Sequence, residues 1–165
     1  MKKLWLASAC SIAFALPAVA EDSLARFEGG IGVVPVSSVA GTQNANGTFP
    51  DVNRNDVRGT PPGGQPWVIA SLSVDVKTDG RVSAVGRGLL LAGGNGIGTN
   101  GAQTVQARLF CGNAQFNSGL VALEANGDFR IDDVLTPAVP EVCDSAVLLI
   151  VNSGGRWFAA GIPKL

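Results

Sequence analysis

An alternating stretch from Val68 to Leu90 constrains the fold of this chain more than any other feature of its sequence. Small or apolar residues occupy every second position on either side of a short turn: Val68, Ala70, Leu72, Val74, Val76, Val82, Ala84, Gly86, Gly88 and Leu90. A period of two is that of a β-strand with one buried face, whereas a helix would scatter such residues around its surface. The stretch therefore predicts two half-buried strands.

The turn Thr78-Asp79-Gly80 sets the register between these strands. A two-residue Asp-Gly loop would place Val76 opposite Ser83 and put the two apolar sets on different faces. A three-residue loop, with its glycine in the left-handed conformation, places Val76 opposite Val82 instead. We therefore predict an antiparallel hairpin with a three-residue loop.

A second turn of the same type lies at Ala125-Asn126-Gly127. A three-residue loop there would pair Leu123 with Phe129. It would also pair Val121 with Ile131, so that the apolar residues on both sides of the turn share one face. The sequence thus predicts a second hairpin.

The remaining segments complete an all-β prediction. Residues 146–151 are apolar at every position, which indicates a central strand, and residues 152–155 turn it into a returning strand at 156–160. Ile31 to Val36 is a further predicted strand. Residues 41–66 form a long loop rich in Gly, Asn and Pro, a length that is typical of functional or mobile loops. We expect an antiparallel β-sandwich or small barrel built of hairpins.

The first twenty residues are predicted to be a signal peptide. A basic start and an apolar run from Leu4 to Leu16 precede Pro17 and three small residues, and we expect cleavage before Glu21. The run is too short to span a bilayer. A lipid anchor on Cys10 is the alternative, but Ala7 stands where a large aliphatic residue would be needed.

Composition narrows the partners of the exported chain, residues 21–165, which we treat as one domain. Removing Lys2 and Lys3 from the twelve basic residues leaves ten, against thirteen acidic residues, so the net charge is about −3. The charges are scattered singly, which argues against nucleic acid as a partner. No later apolar run is long enough for a transmembrane helix. We expect a soluble protein that is periplasmic or secreted.

Two cysteines remain after cleavage, Cys111 and Cys143. An even pair in an oxidising compartment predicts a disulfide, and two buried thiols are the alternative. The chain has no histidine and no tyrosine. This excludes His-based triads and general bases and nearly all zinc sites, and we expect no cofactor.

Gly96, Gly98 and Gly101 spell G-x-G-x-x-G after an apolar run, the pattern of a dinucleotide-binding loop. That fingerprint needs a helix after the glycines and a parallel sheet. The following residues, from Val105 to Cys111, alternate as a strand does, and the neighbouring hairpins imply antiparallel pairing. We therefore expect the glycines to form a flexible connection between strands.

Few other residues suggest a binding site. Asp51, Asn53 and Asp56 place oxygen ligands at alternate positions, as in a calcium loop. An EF-hand would need glycine at the position of Asp56 and a bidentate glutamate at that of Pro62, so an irregular calcium site is the only calcium site that fits. We favour the alternative, a polar loop with turn-forming residues and no metal.

Two tryptophans and two charged residues complete the candidates. Trp67 and Trp157 are able to stack on a sugar or a partner, although aromatics on strands more often belong to the core. Asp133 shares the parity of apolar strand residues. Either the strand ends before it, which we favour, or it is buried with a partner such as Arg156.

Four segments together resemble a group of short exported proteins of Gram-negative bacteria that have no assigned activity: RFEGGIGVVPVS, GLLLAGGNGIGTNG, NGDFRIDDVL and VLLIVNSGGRWFAAGIPK. The resemblance covers most of Arg26 to Lys164. It implies export and carries over no site residues.

These observations favour an exported β-domain that acts as a non-enzymatic binding or structural module of the cell envelope, with an unknown partner there or outside the cell. A carboxylate-dependent hydrolase is the first alternative, with a pool of four acidic residues: Asp51, Asp56, Glu124 and Asp133. A small outer-membrane β-barrel is the second, although such barrels carry aromatic girdles and this chain has few aromatics.

Overall fold

The computed structural model describes residues 22–35, 45 and 55–164. Within these ranges the regular secondary structure is eleven strands and no helix: β1 Ser23–Gly32, β2 Trp67–Val68, β3 Ser71–Lys77, β4 Arg81–Arg87, β5 Leu90–Leu91, β6 Thr104–Cys111, β7 Ala114–Asn117, β8 Val121–Ala122, β9 Phe129–Val134, β10 Val147–Asn152 and β11 Trp157–Pro163. The predicted signal peptide, with Cys10, and the calcium candidates Asp51 and Asn53 lie outside the described residues.

Nine of the strands form one antiparallel sheet in the order β7-β6-β10-β11-β1-β3-β4-β9, with β8 also paired to β6. The sheet curls strongly into a half-barrel. Its two ends approach each other, because Asn117 at the end of β7 exchanges backbone hydrogen bonds with Thr136 just after β9. β2 and β5 form a separate two-stranded antiparallel pair. The all-β class and the antiparallel pairing are thereby confirmed.

The first predicted hairpin is confirmed in register as well as in type. Val76 lies opposite Val82 and Val74 opposite Ala84, and all four side chains are buried. Gly80 has a φ of +86°, the left-handed conformation that a three-residue loop requires. The alternating apolar residues of β3 and β4 therefore form the buried face of each strand.

The disulfide between Cys111 and Cys143 is also confirmed. It joins the end of β6 to the irregular segment before β10. β10 and β11 pair as predicted, and β10 is central, between β6 and β11. Leu148 and Leu149 point to opposite faces of β10, and both are fully buried.

Asn55–Gly63, which we call the strap, pairs with the start of β11. Trp157 donates its N–H to the Pro61 carbonyl and accepts a bond from the Gly63 N–H, both at 2.9 Å. Thr60, in the middle of the strap, is 2% exposed, and its side-chain oxygen accepts a hydrogen bond from Arg108 on β6. The strap is therefore fastened to β11 and to β6.

The second predicted hairpin is wrong in its strand pairing. The turn itself forms, since the Glu124 N–H donates to the Asp128 carbonyl at 2.9 Å. However, Phe129 and Ile131 on β9 lie opposite Gly86 and Ala84 on β4, not opposite Leu123 and Val121. β8 pairs with β6 instead. A tight turn therefore does not guarantee that its flanking segments pair with each other.

Two other predictions need correction. Of the predicted strand from Ile31 to Val36, Ile31 and Gly32 are the end of β1, which has an irregular register beside Gly29, and Val36 lies outside the described residues. The apolar parity of β4 also does not reach Leu90. Gly88 has a φ of +64°, which shifts the chain by one residue and buries Leu89 in place of Gly88.

Candidate ligand groove

Several concave surfaces lie on the described part of the molecule. One of about 440 Å³ lies over β3, β4 and β9 and is rich in charged side chains. These side chains already satisfy one another: Asp75 pairs with Lys77 at 2.8 Å, and Asp132 accepts a hydrogen bond from Ser83 at 2.9 Å. This arrangement is the solvent-facing ladder of ion pairs and hydrogen bonds common on exposed sheets.

The carboxylates of this ladder are held in their charged form. Burial is the largest single influence on Asp75 and raises its pKa, but hydrogen bonds from Lys77 and Ser23 and the nearby positive charges outweigh it, so the net pKa is lowered. A hydrogen bond from Arg130 lowers the pKa of Asp132. Groups of this kind stabilise the fold and offer no protonated acid near neutral pH.

A second concavity of about 370 Å³ lies beside the disulfide and is lined mainly by small and apolar residues. It includes Phe116, Val139, Pro140 and the strongly exposed Val142. Because few polar side chains converge there, this surface has little means of orienting a ligand.

The third concavity, about 330 Å³, differs in carrying several polar side chains on an apolar floor. We call it the end groove. It lies where β2, the loop after β5, the start of β6 and the β10–β11 turn meet, and its lining is Gly64, Gln65, Trp67, Leu91, Gly101, Gln103, Asn152, Arg156 and Phe158.

One wall of the end groove is a chain of oriented hydrogen bonds. The Arg156 backbone N–H donates to Asn152 Oδ1 at 2.9 Å, and Asn152 Nδ2 donates to Gln103 Oε1 at 3.0 Å. Gln103 Nε2 then donates to the Gly101 carbonyl at 3.1 Å. Because each amide oxygen accepts from its neighbour, the orientation of both amide groups is fixed.

The floor of the groove is aromatic. The ring of Trp67 stacks on Phe158 with centroids 4.0 Å apart and an angle of 14° between the planes. Trp67 is only 4% exposed, so it offers an edge to a ligand rather than an open stacking face. Trp157 does not line the groove; it is buried, and its indole N–H donates to the Asn55 carbonyl of the strap at 3.2 Å.

The glycine motif borders the same groove. It forms tight turns that join β5 to β6: the Gly98 N–H donates to the Leu91 carbonyl at 2.8 Å, and the Leu91 N–H donates to Thr99 at 2.9 Å. Gly101, at a φ of +57°, lines the groove. A strand follows the glycines and its pairings are antiparallel, so the dinucleotide alternative lacks the helix and parallel sheet that it requires.

Among the described residues, Arg156 is the only charged one in the lining of the groove. Its side chain is exposed, and Nη1 lies 3.4 Å from the Pro62 carbonyl. No carboxylate in the described part of the chain pairs with it. Arg156 therefore places a positive charge at the rim that no described carboxylate neutralises.

Asp133 is elsewhere, and both of its predicted arrangements are wrong. β9 continues through Asp133 to Val134, so the strand does not end before it. The side chain is exposed and accepts the Gly119 N–H at 2.6 Å rather than pairing with Arg156. This bond and one from the Val134 N–H lower the pKa of Asp133.

The carboxylates of the hydrolase alternative do not form a common site in the described structure. Glu124 lies in the turn before β9, Asp133 near its far end and Asp56 on the strap. No group of three histidine, cysteine, aspartate or glutamate side chains gathers there to hold a metal ion. A calcium role for Asp56 stays a prediction, because its partners lie outside the described residues.

Sequence reasoning found Trp67 and Arg156 but missed the amides. Gln103 and Asn152 are 49 positions apart, and nothing in the local sequence marks either as a site residue. Only the pairing of β10 with β6 brings them together.

Comparison with protein-family models, with curated proteins and with solved structures gives no match. The resemblance to short exported bacterial proteins therefore stays a prediction. None of the described segments forms an apolar helix of membrane-spanning length.

Proposed function

We propose that this chain is an exported, non-enzymatic binding domain of the cell envelope, and that the end groove is its ligand site. The observation that carries the proposal is the groove itself. It combines an apolar floor, an ordered wall of amides and one arginine that no described carboxylate pairs with, which is the usual composition of a small-molecule site.

Binding fits the described chemistry better than hydrolysis. A carboxylate-dependent hydrolase needs one carboxyl group that remains protonated near neutral pH to act as an acid. Of the carboxylates proposed for a hydrolase, Asp133 has a pKa lowered by hydrogen bonds from the Gly119 and Val134 N–H groups, so it is poorly suited to donate a proton near neutral pH. In the described structure Asp56, Glu124 and Asp133 also lie on different elements and do not converge on one site.

Export is the part of the proposal that rests on the first twenty residues and on the disulfide. Structural disulfides form and persist in oxidising compartments, which agrees with a periplasmic or secreted protein. The groove is lined by residues from several strands, so a rigid scaffold holds it open before a ligand arrives.

The test begins with the full chain expressed with its own leader. We expect osmotic shock to release a product that begins at Glu21. The released protein is then sedimented with washed envelopes of the source cell. If the groove binds an envelope ligand, the protein should co-sediment with the envelopes in a saturable manner. Protein that stays in the supernatant at every concentration would contradict the proposal.

Two variants show whether the groove is responsible. Gly64→Trp is placed to fill the groove from its rim, and a Cβ at Gly64 would meet no heavy atom within 4 Å, so we expect the backbone to tolerate the substitution. Ser73→Trp adds the same bulk on an exposed position of β3, away from the groove. Only Gly64→Trp should abolish co-sedimentation; equal loss or equal retention in both variants would refute the groove as the site.

A further inference from the structure

The hydrogen bonds of the end-groove wall use only part of its amide donors. Asn152 Oδ1 and Gln103 Oε1 each already accept a bond from the wall itself. The Asn152 and Gln103 amide groups each have a second N–H, and each uses only one within the wall. Two side-chain N–H groups of residues that line the groove therefore remain for a ligand that carries oxygens.

Arg156 adds both charge and donors to this surface. A guanidinium has five N–H groups, and among the described residues only Nη1 of Arg156 has an acceptor, the Pro62 carbonyl. No aspartate or glutamate among the described residues lines the groove.

We infer that the end groove binds a small ligand through a carboxylate, with Arg156 as the principal anion-binding residue. This inference rests on the proposed function. The planar fork of a guanidinium matches the two oxygens of a carboxylate, and the spare amide N–H groups suit neighbouring hydroxyl or carbonyl oxygens.

Size and floor restrict the ligand further. At about 330 Å³ the groove is near the lower end of ligand pockets, so it accommodates one ring or a short chain end rather than a long polymer. Trp67, Phe158 and Leu91 give the carbon skeleton an apolar surface to contact. A sugar acid and the C-terminus of a short peptide share this chemistry, because both combine a carboxylate with adjacent oxygens.

Calorimetric titration of the exported protein separates these sources. The probes are glucuronate and N-acetyl-alanyl-alanine, each beside its neutral methyl ester. We expect at least one acid to bind saturably and its ester to bind more weakly by about tenfold or more, since the ester lacks the charge-assisted pair with Arg156. The acid that binds identifies the source of the carboxylate.

Variants of Arg156 test its role. Arg156→Gln should weaken binding of the acid about tenfold and leave the ester unaffected, and Arg156→Lys should retain part of the affinity because charge remains without the fork. Arg87→Gln is the control, because Arg87 is also exposed and unpaired among the described residues but lies on β4. Circular dichroism and thermal unfolding verify that each variant is folded.

The outcomes distinguish this inference from the proposed function. Equal affinity for acid and ester, no effect of Arg156→Gln, or no saturable binding of either acid would overturn the carboxylate inference. If co-sedimentation with envelopes still depends on Gly64, the groove remains a binding site of different chemistry. If co-sedimentation fails while an acid binds through Arg156, the envelope role fails and the groove chemistry stands.

Discussion

Gly127 occupies a backbone position that no other residue fits well. Its φ is +81°, and a side chain there would come within 2.6 Å of the Leu89 backbone. Its own carbonyl accepts the Leu89 N–H at 2.9 Å, so the two segments are tied together at the point of closest approach. Glycine is required both for the conformation and for the contact.

Replacing Gly127 with alanine should therefore destabilise the protein by about 2–4 kcal/mol, from left-handed strain and from displacement of the Leu89 backbone. Gly98→Ala is a matched control, because Gly98 has a φ of +80° and open space around it. That control should cost about 1 kcal/mol. Urea unfolding measures both, and equal losses would show that the contact with Leu89 is unimportant.

Asp133 gives a prediction about pH. Hydrogen bonds from the Gly119 and Val134 N–H groups lower its folded-state pKa, so the charged form stabilises the folded protein. That contribution is fully present above the unfolded-state pKa of about 4 and is lost as the pH falls through the lower folded-state pKa. The side chain is exposed, so the effect should stay below about 1 kcal/mol.

Unfolding of wild type and Asp133→Asn across a pH series measures this effect. The stability difference between them should be largest above about pH 5 and shrink towards about pH 2. Glu141→Gln provides the control, because Glu141 is exposed and makes no hydrogen bond to a described residue. A difference between wild type and Asp133→Asn that does not change with pH would contradict the assignment.

At the scale of the elements, the local sequence pattern predicted those features that depend on neighbouring residues alone. The β3–β4 register followed from alternation and one glycine turn, because a slip by one residue would expose the whole apolar face. The position of β9 could not be predicted from local pattern, because β9 pairs with β4. In that pairing Val85 lies opposite Arg130, more than forty residues away along the chain. Parity also failed at Gly88, where a left-handed residue shifts the strand.

The disulfide fastens a segment that lies outside the paired strands. Cys143 belongs to the irregular segment between β9 and β10, and its bond to Cys111 closes a separation of 32 residues. Such a closure restricts the unfolded chain and is worth about 3–4 kcal/mol in the chain-entropy model. Replacing both cysteines with serine should lower the free energy of unfolding by about that amount.

Denaturant unfolding of the exported protein with and without reductant measures the contribution of the disulfide to the free energy of unfolding. A thiol titration of the oxidised wild type should find no reactive thiols. The double-serine variant should be insensitive to reductant. Two reactive thiols in exported wild type, or an unchanged midpoint after reduction, would contradict a stabilising role for this disulfide.

At the scale of the whole molecule, the groove and the strap both depend on contacts distant in sequence. Trp67 was a candidate from its residue type and Arg156 as a possible partner of Asp133, and the structure places both in the lining of the end groove. The strap was predicted only as part of a long loop, because its irregular backbone has no period to read. Its partner strands determine its position, through bonds between Trp157 and the Pro61 and Gly63 backbone.

Arg108 connects the strap to the sheet. Its Nη1 lies 3.2 Å from Thr60 Oγ1, and its Nε donates to Asn117 Oδ1 at 2.8 Å. Burial lowers the pKa of Arg108, which reflects the cost of withdrawing the guanidinium from water. Two contributions to stability therefore oppose each other at Arg108: partial desolvation of the cation is unfavourable, and its hydrogen bond to the buried Thr60 hydroxyl is favourable.

We expect Arg108→Met to destabilise the protein. The cation keeps partial contact with solvent, so its desolvation cost is small, whereas Thr60 is buried and would lose its hydrogen-bond donor. The predicted loss is about 1–2 kcal/mol, within the range for leaving a buried polar group unsatisfied. Amide hydrogen exchange at Gly63 and Trp157, whose N–H groups bond strap to sheet, should accelerate.

A double-mutant cycle with Thr60→Val isolates the contact from general loss of packing. If Arg108 holds the strap through the Thr60 hydroxyl, the double variant should be less destabilised than the sum of the single variants by about 0.5–1.5 kcal/mol. Arg87→Met, on an exposed position of β4, should change neither stability nor exchange at the strap. Additive losses with unchanged exchange at Gly63 would mean that backbone pairing alone fastens the strap, and that Arg108 merely fills space beneath it.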